Sequence, residues 1–343
     1  MNKYVNKKFS FIRIPSDEMK SEFYRILLKH GFSELRAEKC SEIFTLNSLE
    51  GVYSHGVNRF PRFVKNIREG YIKPDAIPAI VHRMGSLEQW NGNLGAGPLN
   101  AAFATDRVME IASENGIGLI AMADTNHWMR GGTYGWQAAR KGFVFIGWTN
   151  TCPNMPAWGA TDPRLGNNPF VIAVPYQNEA IVLDFAMTQF SYGKMESFAN
   201  EGKQLSYPGG FNKQGELTTN PSEVLETWRA LPIGYWKGAG LSLLLDILAT
   251  ILSAGLSTQE IGKNKTEYGV SQVFIAIDIS RLKNFPAIGN SIQHIVDDYK
   301  KSQTENETTK IRYPGENVID IRNANLKDGI PVDKSIWEKI LSL

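Results

Sequence analysis

The sequence predicts an α/β chain of the α+β kind, with helical segments at both ends around a central buried sheet and no Rossmann dinucleotide motif. Brief apolar runs at 117–122, 143–149, 170–175, 180–185 and 273–278 are bounded by glycine, proline or asparagine, as buried strands are. Apolar residues near the N-terminus recur instead at the helical period. The glycine-rich turn Gly92-Asn93-Leu94-Gly95-Ala96-Gly97, between a possible strand and a helix, has the wrong spacing for a dinucleotide fingerprint. With 343 residues, 42% hydrophobic and 21% charged, the chain holds enough material for two or three packed units.

Taken in order, Pro15, Ser16 and Asp17 precede a run with Met19, Phe23, Ile26 and Leu27 on one face, closed by Gly31, which predicts a capped helix. A second helix is expected from near Ser33 to just before Gly51. The stretch 51–62 carries Ser54, His55, Gly56, Asn58, Arg59 and Pro61, unusually polar for a connector. Residues 80–90 predict a strand pair, and 98–115 a helix with Ala101, Ala102, Val108 and Ile111 toward the core. The stretch 238–254 is apolar on three sides, with Leu241, Leu243, Leu244, Leu245, Ile247, Leu248 and Ile251, and Gly255 follows as the expected terminating residue. Its length is at the lower limit for a bilayer and Asp246 interrupts it, so a central core helix is the preferred reading. Residues 300–310 are polar and read as a solvated loop, after which the C-terminal segment is expected to pack back on the first unit.

Lysine plus arginine number 37 against 35 acidic residues, so no charge excess points to nucleic acid or a membrane surface. Small-molecule chemistry is the better expectation. Residues 1–11 mix lysines and aromatics without the apolar stretch of a secretory signal, and a cytoplasmic location is expected. Cys40 and Cys152 stand far apart without a paired motif, so both are expected to be reduced and structural.

Among the five histidines, His30, His82 and His294 read as surface or helix-terminal residues. His55 shares a short segment with Arg59; an imidazole can carry a proton near neutral pH, and a guanidinium can grip a carboxylate with two parallel hydrogen bonds. A structurally satisfied histidine explains His55 equally well. His127 lies after a predicted strand, in the glycine-rich stretch 126–135 before a helix, where backbone can approach a ligand or where the histidine merely caps that helix. A metal site built from His55, His127 and Asp184 lacks the i, i+4 spacing such sites use, and none is expected. No Gly-x-Ser-x-Gly elbow supports a serine hydrolase.

Ser54-His55-Gly56-Val57 with Arg59, Asn126-His127-Trp128, Gly166-Asn167-Asn168-Pro169, Leu183-Asp184-Phe185-Ala186 and Pro232-Ile233-Gly234-Tyr235-Trp236-Lys237-Gly238 together resemble the malate/L-lactate dehydrogenase-like oxidoreductases. The likeness covers nearly the whole chain. It implies an L-sulfolactate dehydrogenase-like fold: a helical substrate domain from 1–85 with 300–343, and a mixed-sheet cofactor-binding domain over 86–299. It also implies homodimers whose active site lies near the subunit interface. The resemblance implies NADH as cofactor, with NADPH the alternative, touching Ala180, Ile181, Val182, Leu183, Asp184, Phe185, Ala186, Trp236, Lys237, Gly315, Glu316 and Asn317. It further implies a 2-oxo acid held by Arg59, with His55 ranked before His127 as proton donor, and Asp184 orienting an imidazole or binding ribose. General members carry alanine-arginine-glycine-lysine where this chain has Ser191-Tyr192-Gly193-Lys194, and the departure at Tyr192 favours an open-chain sugar acid. Oxidation of malate, L-lactate or ureidoglycolate is the alternative within the family. A non-catalytic sugar-acid binding protein is the alternative outside it.

Overall fold

Met19, Phe23, Ile26 and Leu27 share one helical face, and the helix Ser16–Lys29 buries all four. The computed structural model describes residues 10–343; the stretch before Ser10, on which the expected location rested, lies outside them. Beside this helix lies Glu34–Leu49, and Phe44 meets Phe60 edge-on at 5.1 Å while Phe23 stacks on Phe60 at 4.0 Å. Phe60 opens a third helix, Phe60–Arg68, which the sequence reading left inside a polar segment. The signal was Pro61, whose fixed φ and missing N–H suit a first helical turn. From the far end of the chain, Ile330–Asp333 pairs antiparallel with Phe11–Ile14, and Lys334–Leu341 adds Trp337 and Ile340 to the same core. The C-terminal segment therefore packs back as expected.

The sheet has seven strands in the order Ala79–Met84, Leu87–Asn91, Ile117–Thr125, Val270–Asp278, Phe143–Thr149, Phe170–Tyr176 and Glu179–Phe185. Only Leu87–Asn91 and Ile117–Thr125 run parallel; the other pairs are antiparallel, so the sheet is mixed. Its first hairpin begins at Ala79 and spans the 85–86 boundary expected between domains. Alternation of side chains gives two buried faces. Ile120, Met122 and Phe274 face the helices Gly97–Asn115 and Gly132–Ala139, whereas Ala121, Trp148 and Val273 face the helix Trp236–Ser253.

That last helix departs from the core helix expected. It buries a narrow face of mostly small residues, Gly238, Ala239, Ser242, Leu245, Ala249 and Ser253, against the sheet. Leu241, Leu244, Ile247, Leu248 and Ile251 stay exposed, because only one side of the helix meets the sheet. Asp246 is no interruption: its Oδ1 accepts from Asn150 Nδ2 at 3.0 Å and from Thr258 N at 2.9 Å, anchoring the loops beneath. The left-handed terminal residue is Ala254 (φ 56) rather than Gly255. Gly255 is constrained by space instead, since a Cβ there would lie 2.3 Å from Ser271 Oγ.

A buried carboxylate joins the two units. Glu50, only 2% exposed, receives Arg130 from the loop after Ile117–Thr125 and Arg322 Nε, at 3.0 Å, from the helix Glu316–Asp328. Arg322 Nη1 also reaches Glu179 at 3.1 Å, and Glu179 holds Arg140 at 2.7 Å. Removing the central carboxylate strips Arg130 of its ion-pair partner and leaves Arg322 with Glu179 alone. Glu50→Gln should therefore destabilise the fold by about 3–5 kcal/mol. Urea denaturation measures this, and a change below about 1 kcal/mol would show that the network is incidental.

Candidate functional site

The turn carrying His55 is shaped by contact with Glu34–Leu49. A Cβ on Gly56 would lie 2.2 Å from Ser48 Oγ, so only glycine lets the turn approach. Ser48 Oγ then accepts from Val57 N at 2.8 Å and donates to Phe44 O at 2.9 Å. Asn47 Nδ2 donates to His55 O at 3.0 Å, and Thr133 Oγ1 donates to Asn47 Oδ1 at 2.7 Å. His55 is thus fixed both to its own unit and to the start of Gly132–Ala139.

His127 is placed with equal care. Asn126 Nδ2 points at Leu94 O, Gly95 O and Tyr71 O at 2.9–3.1 Å, while Gln272 Nε2 donates to Asn126 O at 2.9 Å. The glycines at 92–97 serve this packing: a Cβ on Gly97 would lie 2.2 Å from Asn126 O and 2.3 Å from His127 O. Met129 adopts φ 66, an unfavourable conformation for a non-glycine residue, and its N–H donates to His127 Nδ1 at 3.0 Å. That bond assigns the imidazole proton of neutral His127 to Nε2.

The two imidazoles stack with centroids 5.7 Å apart and planes at 23°. His55 Nδ1 pairs with Ser54 Oγ at 2.9 Å. Arg59, at the N-terminus of Phe60–Arg68, lines a cavity with His127, Arg62, Asn66, Met129 and Glu267. Among the described residues no hydrogen bond or ion pair engages the Arg59 guanidinium, although it is half-buried. Burial, then Arg59 and Arg130, pushes the His55 imidazole down to about 4, and burial, Arg59 and His55 hold His127 well below its ordinary value. Both rings are neutral at pH 7 in this electropositive cleft.

Among the described residues Asp184 makes no hydrogen bond to either imidazole. Its Oδ2 accepts from Gly132 N at 2.7 Å, the first N–H of the helix Gly132–Ala139, where the opening turn of a helix lacks i−4 partners. Along Glu179–Phe185, Ala180 and Val182 are turned into the core, so they offer only backbone atoms, whereas Leu183 and Asp184 are exposed. Val182 N donates to Pro314 O at 3.1 Å, and Gly315 (φ +89) lies so close that a Cβ would stand 3.3 Å from the Val182 backbone. Beyond the strand's other end, Ile233 N donates to Met187 O at 2.9 Å, bringing Trp236 and Lys237 to its exit. The residues inferred for the cofactor therefore lie along and beyond one strand. Glu316 pairs with Lys300, and Asn317 Oδ1 accepts from Arg312 at 2.7 Å.

Lys237 is exposed and in no ion pair among the described residues, in the first turn of an 18-residue helix that has no acidic residue there. Nothing lies within 4 Å of a Cβ placed on Gly240. An open helix N-terminus with a free cation fits the phosphates of a dinucleotide. Tyr192, the departure noted in the sequence, donates its hydroxyl to Asn154 O and packs on Trp228 at 5.0 Å. Its influence is positional: a Cβ on neighbouring Gly193 would lie 2.8 Å from Ser54 Cβ, so this helix start abuts the His55 turn. Sequence reasoning missed Arg62, Asn66 and Glu267, because the first two follow from the helical spacing 59, 62, 63, 66 once Phe60–Arg68 is recognised, whereas Glu267 arrives from a remote loop.

A mixed-sheet domain joined to a helical unit, with paired imidazoles and an unpaired arginine at their junction, defines a non-Rossmann oxidoreductase architecture. The profile of the malate/L-lactate dehydrogenase family matches residues 14–341, and the chain belongs to this family of NAD(P)-dependent oxidoreductases. A 2,3-diketo-L-gulonate reductase of Salmonella paratyphi C is 43% identical over 97% of this chain and 100% of its own. The sulfolactate dehydrogenase of Methanocaldococcus jannaschii superposes with a TM-score of 0.87 at 26% identity, covering 97% of this chain and 98% of its own. A malate dehydrogenase from Entamoeba histolytica, at 24% identity, has a TM-score of 0.91 over 97% of this chain and 98% of its own, which supports the fold alone. The fold is the sulfolactate dehydrogenase-like one that the resemblance implied.

The depressed His55 value carries a stability consequence. Between pH 6.5, its ordinary value, and about 4, an unfolded chain binds a proton that the folded site refuses. The stabilisation is complete above 6.5 and is lost as pH falls through about 4. His55→Gln should flatten the decline in urea midpoint across that window; an unchanged decline would contradict the assignment.

Proposed function

We propose that the chain is an NADH-dependent reductase of a 2-oxo sugar acid, converting 2,3-diketo-L-gulonate to 3-dehydro-L-gulonate in the cytoplasm. The observation that carries this reading is the unpaired Arg59 guanidinium sharing one cavity with His127, beside His55. A half-buried guanidinium without a protein partner calls for an anion, and a carboxylate matches its two parallel donors. The names of the relatives at 42–43% identity supply the particular substrate.

The reduced nicotinamide, when bound, supplies the hydride that a 2-oxo group needs. Trp236, Lys237 and the backbone around Leu183 would hold that cofactor, with Asp184 available to a ribose hydroxyl. Arg59 clamps the carboxylate and so fixes the adjacent ketone near the imidazoles. As negative charge grows on the ketone oxygen, a hydrogen-bond donor stabilises it and a proton completes the alcohol.

The two histidines divide this work by their Nδ1 partners. Met129 N–H can only donate, so His127 Nδ1 remains an acceptor and His127 serves as a neutral donor through Nε2. Ser54 Oγ can donate or accept, so His55 can take up and release a proton without losing its partner. His55 is therefore the proton donor. The incoming carboxylate offsets the positive field of Arg59 and raises the His55 pKa when the acid form is required.

A second copy of the chain covers the exposed Leu241, Leu244, Ile247 and Ile251 stripe in this reading, giving the homodimer. Purified protein should sediment as a dimer and oxidise NADH with 2,3-diketo-L-gulonate. Arg59→Ala should raise KM for the acid by about 100-fold while leaving that for NADH nearly unchanged. His55→Ala should lower kcat by about 100-fold or more. NADH absorbance follows each reaction; full activity in either variant, or no turnover of any 2-oxo acid by the wild type, overturns the reading.

A further inference from the structure

We propose that Glu267 selects among 2-oxo acids, binding the hydroxyl-bearing tail of a monocarboxylate and repelling the second carboxylate of a dicarboxylate; this rests on the reductase reading above. The helix Phe60–Arg68 turns Arg59, Arg62, Phe63 and Asn66 toward one cavity, and Glu267, remote in sequence, lines the same cavity. Glu267 is held in place rather than trailing into solvent. Cys152 N donates to its Oε2 at 3.1 Å, and neighbouring Tyr268 stacks on Tyr71 at 5.1 Å with planes at 24°. That stack ties the loop carrying Glu267 to the segment that follows the helix.

The cavity therefore contains three charged side chains, Arg59, Arg62 and Glu267, none of them in an ion pair among the described residues. One carboxylate of any substrate satisfies Arg59. A second carboxylate farther along the molecule meets the fixed negative charge of Glu267, and Arg62 is solvent-exposed, so its attraction is screened. A hydroxyl at the same place donates to Glu267, as a carboxylate cannot at neutral pH, and can accept from the Asn66 amide, which makes no side-chain hydrogen bond among the described residues. Repulsion of the wrong ligand and a specific bond to the right one act in the same direction.

The test compares wild type, Glu267→Gln and Asn66→Ala by kcat/KM on 2,3-diketo-L-gulonate, pyruvate and oxaloacetate. In Glu267→Gln, oxaloacetate should improve and the sugar acid should decline, each by about tenfold, while pyruvate, which reaches neither residue, changes less than about twofold. Asn66→Ala should weaken the sugar acid without improving oxaloacetate. A sugar-acid to oxaloacetate ratio within about twofold of wild type in Glu267→Gln overturns the proposal while leaving the reductase reading intact. Thermal shift with L-gulonate and malate reads selectivity without turnover: wild type should favour gulonate and Glu267→Gln should lose that preference. If no acid is reduced, the reductase reading falls, and equal shifts in both proteins would overturn the selectivity as well.

Discussion

The Glu50 carboxylate is the point on which the two units and the site depend. It lies at the end of Glu34–Leu49, yet its partners are Arg130, 80 residues away, and Arg322, 272 residues away. Arg130 follows the His127 loop, and Arg322 also reaches Glu179 at the start of the sheet's last strand. One buried group thus fixes the histidine loop, the C-terminal helix and the edge strand relative to the first unit. Asn325 Nδ2 reinforces the joint by donating to Leu49 O at 2.9 Å.

Electrostatics at this joint follow from the same arrangement. Arg130 pairs with Glu50, whereas Arg59 is in no ion pair among the described residues, so the cleft carries positive potential beside two imidazoles. Burial first, and this field second, keep the rings neutral. Binding and proton supply become one event in the proposed mechanism: the carboxylate that orients the ketone also makes His55 basic enough to hold the proton it must give. Residues that fix the imidazoles contribute by geometry, and the positive φ of Met129 marks where backbone strain is retained to do so.

Local features of the fold were legible in the sequence. Every predicted sheet strand formed, because brief apolar runs between turn residues have few alternatives. His55, Arg59 and His127 were likewise visible as polar residues in glycine-bearing segments, and the structure brings them together. What stayed hidden depends on distant partners. The sequence left Asp184 between orienting an imidazole and binding ribose and gave no hint of its bond to Gly132 N, and Glu50 gave no local sign of its two arginines. The apolar helix Trp236–Ser253 misled for another reason: its residues are apolar on three sides, but only the narrow face of mostly small residues meets the sheet.

The central claim is that carboxylate binding and protonation of His55 are coupled, and calorimetry tests it most directly. Oxamate, an unreactive 2-oxo acid mimic, would be titrated into the NADH complex at neutral pH in buffers of different ionisation enthalpy. The account predicts uptake approaching one proton by the wild type and almost none by His55→Gln. Binding without proton uptake, or equal uptake in both proteins, would contradict it.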